Sequence, residues 1–166
     1  MNKVAGVLLC LPLLIFLGVR QIMDIQFNRN CEGYLKRAAD ANTVELAKSQ
    51  LQIAVSYIER SSLTEGYTSV IYRTPDEDIG FWYNNLRGSL DSLISMKADA
   101  TDLEKSNMLI KLRETLLDHG EKGVHVTCPE GISIYPYNVF CMITAIFCSL
   151  LLIAGCFVYL REDYDF

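Results

Sequence analysis

The chain has 166 residues, an apolar share of 51%, a charged share of 21% and a formal net charge of −5. That length suits a single domain, and its acidic balance argues against nucleic-acid binding, which requires clustered Lys and Arg. The mean hydropathy of +0.19 is high for so charged a chain, because two uncharged segments lie near its ends. Between Arg20 and Asn138 stand 13 of the 15 basic and 17 of the 20 acidic residues, a net charge of −4, so anionic lipid headgroups are poor partners for this middle part.

The first apolar segment, residues 4–20, is predicted to be an uncleaved transmembrane helix. No charge lies between Val4 and Val19, and Lys3 and Arg20 can snorkel to the two interfaces to lengthen this short run. A cleaved signal peptide is the alternative, but it needs small residues at its cleavage site. The residues from Phe16 onward, FLGVRQ, lack that pattern, so the sequence favours an anchor.

A soluble helical domain is predicted over residues 24–134, beginning with one long helix over residues 27–60. The apolar residues of this first helix recur at three- and four-residue steps, which is typical of a helix with one buried face. They are Val44, Ala47, Leu51, Ala54 and Ile58.

The second helix has the strongest start signal in the chain. Thr74 supplies an N-cap hydroxyl, Pro75 occupies the first helical position, and Glu77 stands three residues after the cap. An apolar stripe then follows at helical spacing: Ile79, Trp82, Leu86, Leu90 and Leu93.

The third helix begins at a second capping box, Thr101 to Glu104, and is predicted to end at Gly120, a plausible C′ glycine. Its predicted apolar face is Leu103, Leu109, Leu112 and Leu116. Residues 124–136 are expected to be irregular or extended, returning the chain to the membrane.

The second apolar segment, residues 137–160, is predicted to be the other transmembrane helix. From Val139 to Leu160 no carboxylate or amine occurs, and 22 residues suffice to cross a bilayer. Residues 161–166 form a short polar tail. The sequence therefore predicts an all-α, membrane-anchored helical bundle of about three soluble helices between two transmembrane helices.

Two cysteines in the middle part bear on topology. Cys31 lies 11 residues after Arg20, and Cys128 lies 11 residues before Val139. A disulfide between them would close a long loop and stabilise the fold by on the order of 4–5 kcal/mol. Disulfides persist outside the cytosol, so the pair favours an extracytoplasmic bundle, cytoplasmic termini, and a location in the plasma or inner membrane. Two unrelated buried thiols are the alternative.

A metal site is not expected. His119 and His125 precede Cys128, but the spacing H-x5-H-x2-C matches none of the usual zinc-ligand patterns.

One segment, residues 63–85, has the composition of a binding site. It combines the only tryptophan with tyrosines and an arginine, the side chains that protein interfaces and ligand pockets favour. The candidate ligand- or partner-binding residues are Tyr67, Tyr72, Arg73, Trp82 and Tyr83. The alternative is a structural crossover, with its acidic triplet stabilising a helix N-terminus and Trp82 in the core.

Catalysis has little support, because the sequence has no Gly-rich phosphate loop, no nucleophile elbow and no HExxH motif. No cofactor is expected. The order of anchor, helical bundle and anchor is similar to the extracytoplasmic sensing modules of chemoreceptors and sensor kinases, a likeness of architecture that implies signalling through a partner.

We therefore expect a non-enzymatic protein of the lipid bilayer whose bundle binds a partner protein, a second copy of itself or a small ligand. The alternative is a structural subunit or assembly factor that acts through its transmembrane helices.

Overall fold

The computed structural model describes residues 2–97, 99–120 and 123–164, most of which are helical. The helices are α1 (Asn2–Phe27), α2 (Gly33–Ala39), α3 (Val44–Arg60), α4 (Ile79–Ser95), α5 (Asp102–Leu116) and α6 (Asn138–Tyr164). A π-helical turn, Asn28–Glu32, joins α1 to α2, and β1 (Leu117–Gly120) pairs with β2 (Gly123–Val126) as an antiparallel hairpin.

The two apolar helices α1 and α6 pack against each other. By length and composition, the runs Val7–Ala39 and Asn138–Phe157 are the two in the described part of the chain that suffice to cross a membrane. Their outward side chains are apolar and exposed, whereas Cys148 is buried. Pro12 lies inside α1, where it removes one backbone hydrogen bond. The end of the predicted polar tail, Asp165 and Phe166, falls outside the described residues.

Helices α2 to α5 share one hydrophobic core. Helix α3 packs against α2 and α4, and α5 contacts all three. The core extends from Phe27, at the end of α1, to Ile132, close to the start of α6. The apolar stripes predicted for the first and second helices are buried in it, which confirms them.

The predicted long helix over residues 27–60 is wrong, because the chain reverses between α2 and α3. Asp40 ends α2, and the Thr43 hydroxyl caps α3 by accepting a hydrogen bond from the Leu46 amide at 3.2 Å. The polar residues at this point satisfy the helix ends that the turn leaves unpaired. Four helices rather than three therefore surround the core.

The N-terminal box of the second helix forms one turn earlier than α4 itself. The carboxylate of Glu77 accepts a hydrogen bond from the Thr74 amide, but the box closes a short 3-10 turn, Pro75–Glu77. Helix α4 begins at Ile79 and is capped by Asp78, whose Oδ1 accepts from the Phe81 amide at 3.0 Å.

The third predicted helix starts as expected at Thr101 but ends at Leu116 rather than Gly120. The chain beyond it pairs with β2, and the Thr127 amide donates to the Leu116 carbonyl at 2.9 Å. Gly120 is thus the last residue of a strand rather than a helix cap. Leu103, predicted on the buried face, is 71% exposed because only the later turns of α5 reach the core.

The loops near residues 61–78 and 127–137 meet at one end of the helical domain. There Ser133 donates a hydrogen bond to Asp24 near the end of α1. The side chain of Asn138, the first residue of α6, donates to the carbonyl oxygens of Tyr67 and Thr68 at 3.3 and 2.9 Å. We call this the junction end, because α1 and α6 leave the domain here.

Candidate functional site

The structure separates the five predicted site residues into three places. Trp82 belongs to the core: it is 6% exposed, and its Nε1 donates to the Thr127 carbonyl at 2.7 Å. Its indole therefore joins α4 to the segment that follows the hairpin. The surroundings of Trp82 therefore favour the structural alternative, in which this residue is part of the core rather than of a binding site.

Tyr83 lies on the seam between α3 and α4. Its hydroxyl donates to Oε1 of Glu59 at 2.8 Å, and Arg87 bonds the same oxygen at 2.9 Å while lying 3.5 Å from Asp91. The hydrogen bond to Glu59 raises the pKa of Tyr83 above its ordinary value, and partial burial adds to the effect. The result is a prearranged group of an aromatic ring, a guanidinium and two carboxylates on the protein surface, which we call the seam cluster.

Tyr67 and Arg73 do come together, with the guanidinium carbon 5.7 Å from the centre of the tyrosine ring. Contacts of this type contribute about 0.5–1 kcal/mol at exposed sites. Tyr72, which precedes Arg73 in the chain, is 67% exposed. The structure therefore brings Tyr67 and Arg73 together but does not gather all five candidate side chains in one place.

The loop that carries Tyr67 and Arg73 has a fixed shape. Tyr67 pairs with Asp78 as an antiparallel bridge, and the Thr68 amide donates to the Glu77 carbonyl at 3.1 Å. Within the loop, the Ser69 hydroxyl accepts from the amides of Ile71 and Tyr72 at 3.3 and 3.0 Å. The loop is thus closed at its base by the bridge and stabilised within by the hydrogen bonds to Ser69.

Sequence reasoning missed the exposed apolar residues of this region. Ile71 is 73% exposed, Val70 40%, and Phe81, in the first turn of α4, 66%. A signal was present in the sequence, since Val70, Ile71 and Tyr72 are three consecutive apolar residues between polar ones. Such a run in a loop is unusual unless something covers it.

Cys31 and Cys128 are free thiols in this structure and do not form the predicted disulfide. The structure nevertheless places both at the same hydrophobic core: Cys31 is fully buried in it, and Cys128 packs against it. Burial is the main cause that raises the pKa of the Cys128 thiol well above its ordinary value. Thiol–disulfide exchange needs a thiolate, so a raised pKa slows the reaction that would join them.

A cleft of about 570 Å³ opens at the junction end beside the π turn. Asp24, Glu32, Glu130 and Arg29 give its rim an acidic excess, with Cys128 in the wall. Within the described residues, no group of three or more His, Cys, Asp and Glu side chains is arranged to hold a metal ion. His125 is exposed, and the side chain of His119 falls outside the described part.

Compared with known proteins, the chain matches no family model, and no curated protein or solved structure shows significant similarity to it.

Proposed function

We propose that the chain is a non-enzymatic, two-span membrane protein whose helical bundle, α2 to α5, binds a partner protein on the extracytoplasmic side. Membrane anchoring is supported by the outward faces of α1 and α6. Ile15, Phe140 and Phe157 are each about two-thirds exposed or more, and many neighbouring apolar side chains are exposed too. A continuous apolar surface of this kind is stable in hydrocarbon and prone to aggregation in water.

The proposed orientation places the bundle outside the cytosol and both termini in it, in the plasma or inner membrane. Its support is that Cys31 and Cys128 belong to the same hydrophobic core, since an oxidising compartment would allow neighbouring thiols to pair. Two crossings also return the chain to the side on which it starts. The orientation is tested in intact cells by labelling an added surface cysteine, Leu103→Cys, with a membrane-impermeant maleimide, because Leu103 is 71% exposed whereas Cys31 is buried.

The observation that supports partner binding best is the seam cluster. Tyr and Arg are over-represented among residues that dominate binding energy at protein interfaces. Here Tyr83 and Arg87 are both held in position by Glu59, so little side-chain entropy remains to be lost on binding. Exposed ion pairs contribute little to stability, so the cluster is free to be used for recognition.

Site-specific photocrosslinking in cells tests this assignment. A photoreactive residue in place of Asn84, which is exposed on α4 close to the cluster, should give one discrete protein adduct, and Arg87→Ala should abolish it. The matched control replaces Leu103, which is 71% exposed at the start of α5, and should give no such adduct. An adduct that survives both Arg87→Ala and Tyr83→Ala would refute the seam cluster as the binding surface.

A structural subunit or assembly factor acting through its transmembrane helices is the second candidate. Ala145 and Ser149 form a small-xxx-small pair on α6, and Ser149 is exposed, so this face is open to another helix. Replacing each span with an unrelated hydrophobic helix separates the two proposals. Loss of cellular function with crosslinking at the seam intact would favour the subunit.

A further inference from the structure

The tip of the loop between α3 and α4, residues 70–73, lies at the junction end of the molecule. Its base is fixed there, because the side chain of Asn138 donates to the carbonyls of Tyr67 and Thr68. Asn138 is also the first residue of α6, the more apolar of the two candidate spans. We call residues 70–73 the crossover tip.

The crossover tip is within reach of the membrane surface. Ile71 follows Thr68 by three residues, which extend at most about 10 Å. The polar layer on each side of a bilayer is about 5–8 Å thick, as the difference between the whole bilayer and its hydrocarbon core shows. If α6 enters the membrane near Asn138, the tip can therefore reach this layer.

The side chains of the tip suit that depth. Ile71 and Tyr72 are 73% and 67% exposed, and Arg73 stacks on the ring of Tyr67. Phe81, exposed on the first turn of α4, lies at the same end of the domain. Amphipathic tyrosines and snorkelling basic residues are enriched at membrane interfaces, next to apolar side chains that reach deeper.

We propose that the crossover tip inserts into the interfacial layer of the bilayer that α1 and α6 cross, and so forms a third membrane contact. The inference rests on the proposed function only in requiring those two spans. It adds a lipid-binding surface that fixes the tilt of the bundle and leaves the seam cluster free for a protein.

The charge of the loop selects the class of lipid. Residues 69–78 contain Arg73 against Asp76, Glu77 and Asp78, one positive against three negative charges and a net of −2. Anionic headgroups would be repelled, since attraction to them requires a basic excess. The tip therefore binds neutral, zwitterionic lipid through its apolar side chains, with Arg73 pairing a headgroup phosphate.

Quenching by brominated lipid tests the depth of the tip. The full-length protein is reconstituted in phosphatidylcholine vesicles whose acyl chains carry bromine at shallow or deep positions. Three variants each add one tryptophan to the constant background of buried Trp82: Ile71→Trp at the tip, Leu103→Trp at the start of α5, and Phe147→Trp within α6. Leu103 is as exposed as Ile71 but lies at the far end of the domain, so it is the matched control.

The expected result is a blue-shifted emission of Ile71→Trp that shallow bromines quench more than deep ones. Leu103→Trp should keep its emission, and Phe147→Trp should be quenched most by deep bromines. If Phe147→Trp is quenched while Ile71→Trp behaves like Leu103→Trp, the membrane anchor stands and the third contact is refuted. If Phe147→Trp is not quenched, the proposed membrane spans themselves are refuted, and with them the third contact.

Two further outcomes overturn the inference. A blue-shifted but unquenched Ile71→Trp would mean that protein covers the tip, either a second copy or a partner. Quenching that appears only when phosphatidylglycerol is added would contradict binding to neutral lipid. Undiminished quenching in pure phosphatidylcholine at high salt supports it.

Discussion

The position of Trp82 gives the sharpest test of how the structure assigns the aromatic residues. Trp82→Phe removes the hydrogen bond from Nε1 to the Thr127 carbonyl, which contributes about 0.5–1.5 kcal/mol. The smaller ring also leaves a small cavity in a site that is only 6% exposed, which costs about 1 kcal/mol more. The free energy of unfolding should therefore fall by about 2 kcal/mol.

The matched variant is Arg73→Ala. Arg73 is exposed and contacts Tyr67 only across its ring face, so this change should alter the free energy of unfolding by no more than about 1 kcal/mol. Urea unfolding of the full chain in detergent micelles, followed by circular dichroism, measures both, because the micelle protects α1 and α6 while α2 to α5 unfold. If Trp82→Phe is no more destabilising than Arg73→Ala, Trp82 is not a core residue and the reasoning is wrong.

Four other predictions concern a mid-helix glycine, a loop glycine, a helix cap and the thiols. Gly88 is exposed in mid-helix with open space around it, so Gly88→Ala should raise the free energy of unfolding by about 0.5–1 kcal/mol. Gly66 has φ +103° and faces a tyrosine hydroxyl, so Gly66→Ala should lower it by about 1–3 kcal/mol in the same assay. Hydrogen bonds from the Thr101 amide and hydroxyl lower the pKa of Glu104. The stability that this carboxylate contributes is therefore present above its unfolded-state pKa and is lost as pH falls through its folded-state pKa. Glu104→Gln should weaken this dependence of the free energy of unfolding on acid pH. In an oxidising compartment, Cys31 and Cys128 should react with a maleimide under denaturing conditions only after reduction.

Each of these has a contrary result. Equal effects at Gly66 and Gly88 would mean that the positive φ is not required. If the free energy of unfolding falls identically at acid pH in the parent and in Glu104→Gln, the carboxylate is not held by Thr101. Full labelling of both thiols without reductant would identify free cysteines and favour a cytosolic domain.

The parts of the fold that followed from the sequence are those with a repeating pattern. Leu51, Ile58 and Leu86 lie where the three- and four-residue steps placed them, because burial of one face repeats along a helix. Thr101 and Glu104 form the expected box, because capping is a local interaction between residues three apart.

The errors arose where local signals compete. The turn at Asp40 to Thr43 lies inside an otherwise helical pattern, where the Thr43 cap and the packing of α2 on α3 together favour a reversal. Gly120 fits a helix cap or a hairpin equally well, and pairing of Leu117 with Val126 decides between them.

The candidate site was predicted from the composition of residues 63–85, and composition does not specify which way each side chain points. Trp82 and Tyr83 are neighbours in sequence, yet a helix turns about 100° per residue, so one faces the core and the other the seam with α3. Tyr67 and Arg73 meet because the Tyr67–Asp78 bridge closes their loop. That bridge has no signature in the sequence.

The π turn at Asn28–Glu32 determines how the helical domain is rotated about the axis of α1. It holds one residue more than an α-helical turn, so every residue after it is rotated by about 100° relative to a regular helix. Gly33 accommodates the turn, since a Cβ there would lie 3.1 Å from the Asn28 carbonyl oxygen. Because α1 continues through this turn into α2 without a hinge, a single residue would set, in the proposed two-span arrangement, which flank of the bundle faces a neighbour in the plane of the membrane.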